Sequence, residues 1–296
     1  MSESELKKGI IIKSLAGFYY VEAGGVLYEC RARGVLRSKN ESPLTGDIVE
    51  ISVENNNKGV VEKIEDRKNS LIRPPLSNVE KLYIVISVAD PRPNLLVTDK
   101  LIAIAEDKEI EPVIVVSKTD LGKGEDILNI YKTAGFETYS VCSETGEGLQ
   151  EIKKSFCKGI NAFTGNSGVG KSSILNAVIP GLNIPTAQIS EKLGRGKHTT
   201  RHTQLYSVGD ALVADTAGFS SLDIVKCENI LKENLQFLFR EFAPAIGKCR
   251  FTGCAHIRDA GCEVRRLVEE GRIPKSRYES YVLLYNDVKD IKEWEK

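Results

Sequence analysis

The chain has 296 residues, 41 Lys plus Arg against 41 Asp plus Glu, and is 41% hydrophobic and 28% charged. That length exceeds one average domain, and the composition excludes a disordered chain, a fibre or a uniformly basic coat for nucleic acid. No stretch reaches the roughly 18 consecutive apolar residues of a membrane span, and the opening MSESELKK lacks the apolar core of a signal peptide. Seven cysteines without an export signal read as cytosolic thiols plus a metal site, not a disulfide framework. The expectation is a cytoplasmic protein with no membrane partner.

Residues 1–72 are expected to form one domain. Gly9–Lys13, Phe18–Glu22, Val26–Arg31, Asp47–Val53 and Val60–Ile64 are short β-type runs separated by Gly24-Gly25, Pro43…Gly46-Asp47 and Asn55-Asn56-Asn57. They predict a small closed barrel of the OB type, and an SH3-like barrel carries the same signature. Arg73-Pro74-Pro75 reads as a stiff boundary. Over residues 73–225, apolar runs alternate with helix-like segments. Strands are expected at Leu82–Val88, Val113–Val116, Thr138–Val141 and Ile160–Thr164, and helices at Thr98–Glu109, Glu125–Ala134 and Ser172–Val178. That rhythm predicts a parallel α/β sheet. Gln204–Val208 and Ala211–Ala214 read as an antiparallel hairpin around Gly209-Asp210. Residues 226–296 are expected to be helical, over Asn229–Phe242, Cys262–Glu270 and Lys275–Lys292.

Gly165-Asn166-Ser167-Gly168-Val169-Gly170-Lys171-Ser172, with Ser173 following, matches G-x-x-x-x-G-K-[ST] between an apolar strand and a helix. Glycines let backbone N–H groups turn in on phosphate oxygens, and the helix N-terminus adds positive potential. Lys171 is placed for the β- and γ-phosphates and the Ser172 hydroxyl for Mg²⁺. Asp215-Thr216-Ala217-Gly218 ends the next strand but one. There Asp215 suits Mg²⁺ through water, and the Gly218 N–H suits the γ-phosphate. The intervening Gly194–His202 (GRGKHTTRH) reads as a loop ordered by nucleotide, with Thr199 or Thr200 on Mg²⁺.

Ser117-Lys118-Thr119-Asp120 resembles the N-K-x-D guanine signature, in which the carboxylate accepts two N–H groups that adenine does not present. Ser117 replaces the usual Asn, so one amide contact is absent. Ser143-Glu144-Thr145 resembles the S-A-K base loop. In ordinary GTPases these two motifs follow the phosphate motifs, whereas here they precede them. Joining the ends of a parallel sheet and reopening it at a surface loop produces that order without disturbing the site. Near the C-terminus, Cys249-x₄-Cys254-x-His256-x₅-Cys262 offers three thiolates and an imidazole, the donor set of a closed structural zinc site. Cys30, Cys142, Cys157 and Cys227 read as plain core thiols.

Together these parts resemble the circularly permuted, small-ribosomal-subunit-dependent GTPases of the RsgA/YjeQ type. The departures are Ser117, Ala217 for the usual Pro, and the S-E-T loop. The resemblance implies GTP and GDP as ligands. It implies binding to the 30S subunit and its 16S rRNA through the barrel and the zinc domain. It also implies hydrolysis stimulated by the subunit and release after it, late in subunit maturation; the chain is expected to act as a monomer. Phe219 stands where Ras-like proteins carry the Gln that orients water. A group from elsewhere must assist, and His198 is the candidate beside Lys171, Thr199 and Thr200. The competing expectations are a nucleotide-responsive RNA-binding module and a P-loop metabolite kinase. Arg31, Arg33, Arg37 and Lys39 form an acid-free run, and Lys248–Arg277 is rich in basic residues, so local patches are expected to grip RNA.

Overall fold

Short alternating apolar runs build the N-terminal strands β1 (Leu6–Leu15), β2 (Phe18–Ala23), β3 (Val26–Ala32), β4 (Ile48–Glu54) and β5 (Lys58–Ile64). The structure is a computed structural model that describes residues 6–34, 42–184, 203–216 and 230–291. It forms two compact units. The first comprises the described parts of Met1–Lys81, Phe156–Thr164 and Gln188–Ala217; the second, those of Leu82–Ser155, Gly165–Ala187 and Gly218–Lys296.

In the first unit β1 pairs antiparallel with β2 and with β4, β2 pairs with β3, β3 runs parallel to β5, and β5 pairs with β4. The ring β1-β2-β3-β5-β4-β1 is closed, which settles the barrel as the OB type. A register shift between Ile11 and Lys13 lets the long β1 serve both neighbours. Inward-facing Ile11, Val21, Cys30, Val49, Ile51 and Val61 are fully buried and fill the interior. Where the sequence suggested a stiff boundary, there is a small hairpin, β6 (Ser70–Leu71) with β7 (Leu76–Ser77), turning through Arg73-Pro74-Pro75. Asp47 fastens it: its buried carboxylate accepts from Arg67 at 2.7 and 2.8 Å, from Ser77 Oγ at 2.6 Å and from the Leu44 N–H at 2.7 Å. A buried charge is tolerable when satisfied this fully. The same unit holds β11 (Gly159–Thr164), β12 (Gln204–Val208) and β13 (Ala211–Asp215). Strands β11 and β13 are parallel, β12 and β13 antiparallel as expected, and β12 meets β1 at Gln204–Lys13.

In the second unit β8 (Val79–Ser87, from Leu82), β9 (Glu111–Ser117) and β10 (Glu137–Val141) lie in the order β10-β9-β8, with β9 and β10 parallel. Val113–Val116 is fully buried, as a strand covered on both faces must be. Helices α1 (Leu95–Asp107), α2 (Glu125–Thr133) and α4 (Lys171–Val178) were expected; the short α3 (Leu149–Ser155) was not. Asn94 caps α1 by accepting the Val97 N–H at 3.2 Å.

The C-terminal part departs from the expected Asn229–Phe242 helix; Asn229 lies outside the described residues. Only α5 (Lys232–Leu235) is α-helical, followed by 3₁₀ turns at Gln236–Leu238 and Arg240–Phe242. Tertiary packing overrides propensity here. Phe239 leaves the helical region (φ −112°, ψ 88°), and Phe239 and Phe242 then both pack on Tyr281, while Arg240 reaches Glu106 and Glu111. Helices α6 (Glu263–Glu269) and α7 (Lys275–Val288) follow; Lys292, the expected end of the last, lies outside the described residues. One buried network joins α7 to the sheet's helices. The Arg277 guanidinium, 0% exposed, donates to Glu241 at 2.7 and 3.2 Å and to Asp99 on α1 at 2.8 Å. It also lies 4.5 Å from the Phe239 ring centroid. Burial alone would pull the guanidinium down, but the Asp99 and Glu241 carboxylates outweigh it and keep Arg277 protonated. Nearby Lys100 on α1 pairs with Asp287 on α7 at 3.0 Å.

Candidate nucleotide and metal sites

The candidate phosphate loop comprises residues 165–170, which follow β11 and precede α4 in the chain. Gly165 has φ 139°, and a Cβ there would stand 2.3 Å from the Val85 carbonyl oxygen, so no side chain fits. Gly170, at φ 97°, is the N-cap of α4 and leaves the first N–H groups of that helix without side-chain caps. Lys171 is buried, and its ammonium donates to the loop's own Gly165 and Asn166 carbonyls, both at 2.8 Å. Its charge is therefore held at the cradle the glycines form. Ser167 and Gly168 are exposed, Asn166, Ser172 and Ser173 half-buried, and Val169 is buried beneath the loop.

Strand β9 delivers Ser117–Asp120, the candidate base-recognition tetrapeptide, to the same unit. Ser117 is buried, and its hydroxyl donates to the Val169 carbonyl of the phosphate loop at 2.6 Å. The missing Asn is thus not a simple loss: the smaller hydroxyl still ties the base loop to the phosphate loop. Lys118, at φ 60°, donates from Nζ to the Asp90 carbonyl, and Pro91 approaches Gly168 from that same segment. Thr119 is half-buried and Asp120 exposed. Ser143, half-buried, opens the loop after β10. One contact was not anticipated: Cys142, read as a plain core thiol, lies with Sγ 3.2 Å from Asp120 Oδ1. The available signal was its place between a strand end and Ser143. Cys157 is half-buried, not core, with Sγ 3.4 Å from Asn161 Oδ1; Cys30 is buried as expected.

Asp215 ends β13, in register with Phe163 of β11, and the Thr216 hydroxyl donates to the Phe163 carbonyl. His198, Thr199, Thr200, Gly218, Phe219 and Cys227 lie outside the described residues.

The candidate metal ligands Cys249, Cys254, His256 and Cys262 converge, with all four ligand atoms within 4.8 Å of one another. His256 Nδ1 is 3.5 Å from both Cys249 Sγ and Cys262 Sγ. A sulfur and a nitrogen on one tetrahedral zinc are separated by about 3.5 Å, given metal bonds of ~2.3 and ~2.0–2.1 Å. The shell around them suits thiolates. The His256 and Glu263 N–H groups donate to Cys254 and Cys249, at 3.4 and 3.3 Å. Nε2 of His256 lies 3.0 Å from Gln236 Oε1, which leaves Nδ1 for a metal. Burial pushes the Cys254 thiol up to about 12 and holds His256 below its ordinary value. Buried sulfurs of this kind ionise only beside a cation, so the donor set fits a metal, with zinc the best match.

Among the described residues, several members of the basic runs are already paired or buried. Arg33 is paired with Glu62 at 2.6 Å, and Arg37 and Lys39 lie outside the described residues. Arg266 pairs with Glu263 and Glu270, Lys275 with Glu279, and Arg277 is buried. No helix among the described residues is long and apolar enough to cross a membrane.

Two family models match the chain: the RsgA N-terminal domain over residues 8–61 and the RsgA GTPase over residues 64–225. It is 43% identical to the small ribosomal subunit biogenesis GTPase RsgA of Halalkalibacterium halodurans, covering 96% of this chain and 98% of that protein. Against the protein of the same name from Caldanaerobacter subterraneus it is 40% identical, with 96% of each covered. Among solved structures, YjeQ from Thermotoga maritima superposes with a TM-score of 0.81 at 31% identity, covering 97% of this chain and 100% of that one. YloQ, described as a circularly permuted GTPase, gives 0.78 at 32% identity over 99% and 98%. Identity of 40–43% over nearly the full length of these relatives, with a GTPase model covering over half its residues, places this chain in the RsgA family of GTPases.

Proposed function

We propose that this chain hydrolyses GTP on the small ribosomal subunit during its late maturation, and that the subunit stimulates the hydrolysis that releases it. The observation that carries the site is the 2.6 Å bond from Ser117 to Val169, which sets guanine-type and phosphate-type loops on one frame. In this reading Asp120 accepts the guanine N–H groups, with Ser117, Lys118, Thr119 and Ser143 around the base. Residues 165–173 wrap the phosphates, and the Lys171 ammonium shifts from its own loop carbonyls to phosphate oxygens. Ser172, Asp215 and Thr199 or Thr200 would hold Mg²⁺, which supplies charge neutralisation of the phosphate oxygens. Phe219 offers no hydrogen bond to water, so His198 is assigned to assist, with Gly218 sensing the γ-phosphate.

The three domains would be residues 1–72, 73–225 and 226–296. One structural zinc per chain would sit on Cys249, Cys254, His256 and Cys262. The barrel and the zinc region would contact 16S rRNA, and the protein would act as a cytoplasmic monomer. The test is phosphate release from GTP and from ATP, with and without purified small subunits. GTP-specific release that rises with subunits is expected. Equal use of ATP overturns the base assignment, and indifference to subunits overturns the partner. His198→Ala should bind GDP like the parent yet lose most of the stimulation; full stimulation would exclude the histidine.

A further inference from the structure

Asp120 is exposed, yet it must present both carboxylate oxygens in one plane to grip a base. An exposed carboxyl rotates freely, and that freedom is lost on binding. The structure offers a clamp. Cys142 is 1% exposed, just past the end of β10, and its Sγ lies 3.2 Å from Asp120 Oδ1, within reach for the thiol to donate. Its own position is set from three sides. The Thr145 N–H donates to Sγ at 3.4 Å, the Cys142 N–H donates to the Glu147 carbonyl at 3.0 Å, and the Gly146 N–H donates to the Cys142 carbonyl at 3.0 Å. The residue therefore closes the loop carrying Ser143 and, through one side-chain bond, ties that loop to the tetrapeptide ending in Asp120.

We propose that Cys142 is a positioning residue for guanine selectivity, holding the Asp120 carboxylate in the orientation that accepts both guanine N–H groups. The proposal rests on the reading of Asp120 as the guanine acceptor. The chemistry suits the task. A carboxylate oxygen has two lone pairs, so a thiol on one side of Oδ1 leaves the other for the base. A thiol is a weak donor, so it orients the oxygen without saturating it.

The experiment measures GDP, IDP and ADP affinities of the full-length protein by titration calorimetry. IDP lacks the exocyclic amine, so the GDP-to-IDP ratio reports the second N–H that the carboxylate accepts. Cys142→Ala is expected to weaken GDP by about three- to tenfold, the worth of one oriented hydrogen bond, and IDP by less, so the ratio falls. Cys142→Ser keeps a donor of similar size and should restore the ratio. Should the alanine variant fail to fold, Cys142→Val fills the volume without a donor and carries the same expectation. Equal weakening of GDP and IDP points to a merely structural thiol and overturns the proposal, as does an unchanged ratio or a serine variant that behaves like alanine. Parent protein that prefers GDP to ADP alongside any of those results sinks the proposal alone. Parent protein that does not prefer GDP sinks the base-site reading and this proposal with it.

Discussion

Ser117 shows how a departure from a motif is absorbed. An asparagine at this position would offer two donors and an acceptor, whereas serine offers one hydroxyl. That hydroxyl sits on the buried carbonyl of Val169, beneath the phosphate loop. Replacing it with alanine leaves the carbonyl without its side-chain donor in a place water does not reach. The cost of an unsatisfied buried group is about 1–3 kcal/mol. Ser117→Ala should therefore lower the denaturation midpoint and, on the proposed site, weaken GDP and GTP together, since the loop it supports would hold phosphates common to both. Urea unfolding of the nucleotide-free protein and calorimetric affinities would check this; intact stability would mean that another donor serves Val169. The replacement itself was legible in the sequence. Its compensation was not, because Val169 lies 52 positions away and only the fold brings the two together.

At the scale of elements, local signals were legible and long-range ones were not. The barrel strands, the phosphate loop with its flanking strand and helix, and the β12–β13 hairpin each follow from periodicity or glycine placement within a dozen residues. The β6–β7 hairpin is two residues per strand and carries no periodicity, and α3 is barely two turns. The stretch from Lys232 to Phe242 has helical composition but breaks into turns because its aromatics are wanted against Tyr281. The Arg277 network is the clearest case. Its partners are 36 and 178 positions away, and in sequence Arg277 is one of several basic residues near the cysteines. Removing it leaves buried Asp99 and Glu241 without their shared cation. Arg277→Leu is expected to destabilise the fold by about 3–5 kcal/mol, the cost of breaking a buried pair from one side. Stability of that variant within 1 kcal/mol of the parent in a urea titration would contradict it, that margin being about the scatter of surface substitutions. The triple change Arg277→Leu, Asp99→Asn, Glu241→Gln removes the uncompensated charges and should recover part of the loss.

Over the whole molecule, formal charge is zero, yet the proposed partner is an RNA-rich particle. The structure narrows how those facts meet. Of the basic residues around the cysteine cluster, Arg266, Lys275 and Arg277 are committed to carboxylates. Lys248, Arg250, Arg258, Arg265 and Arg272 form no salt bridge among the described residues. Arg250 is exposed with its guanidinium 5.4 Å from the exposed Phe251 ring, a pairing suited to stacking on an unpaired base. In the barrel, Arg31 is exposed over Phe18 at 5.0 Å, while Arg33 is paired with Glu62. Among the described residues of these two patches, the uncommitted cations would then carry the phosphate contacts. Each phosphate neutralised adds about 0.7–0.9 to the slope of log affinity against log salt. Binding to small subunits should therefore weaken with salt, with each of these cations contributing its share of the slope. Arg250→Ala or Arg258→Ala should each lower that slope by about one while leaving the melting temperature in place. Arg266→Ala, whose charge is already answered by two glutamates, should leave the slope unchanged. A slope that ignores Arg250 and Arg258 but responds to Arg266 would mean that the ion pairs open on binding and that the particle is read by the opposite set of cations.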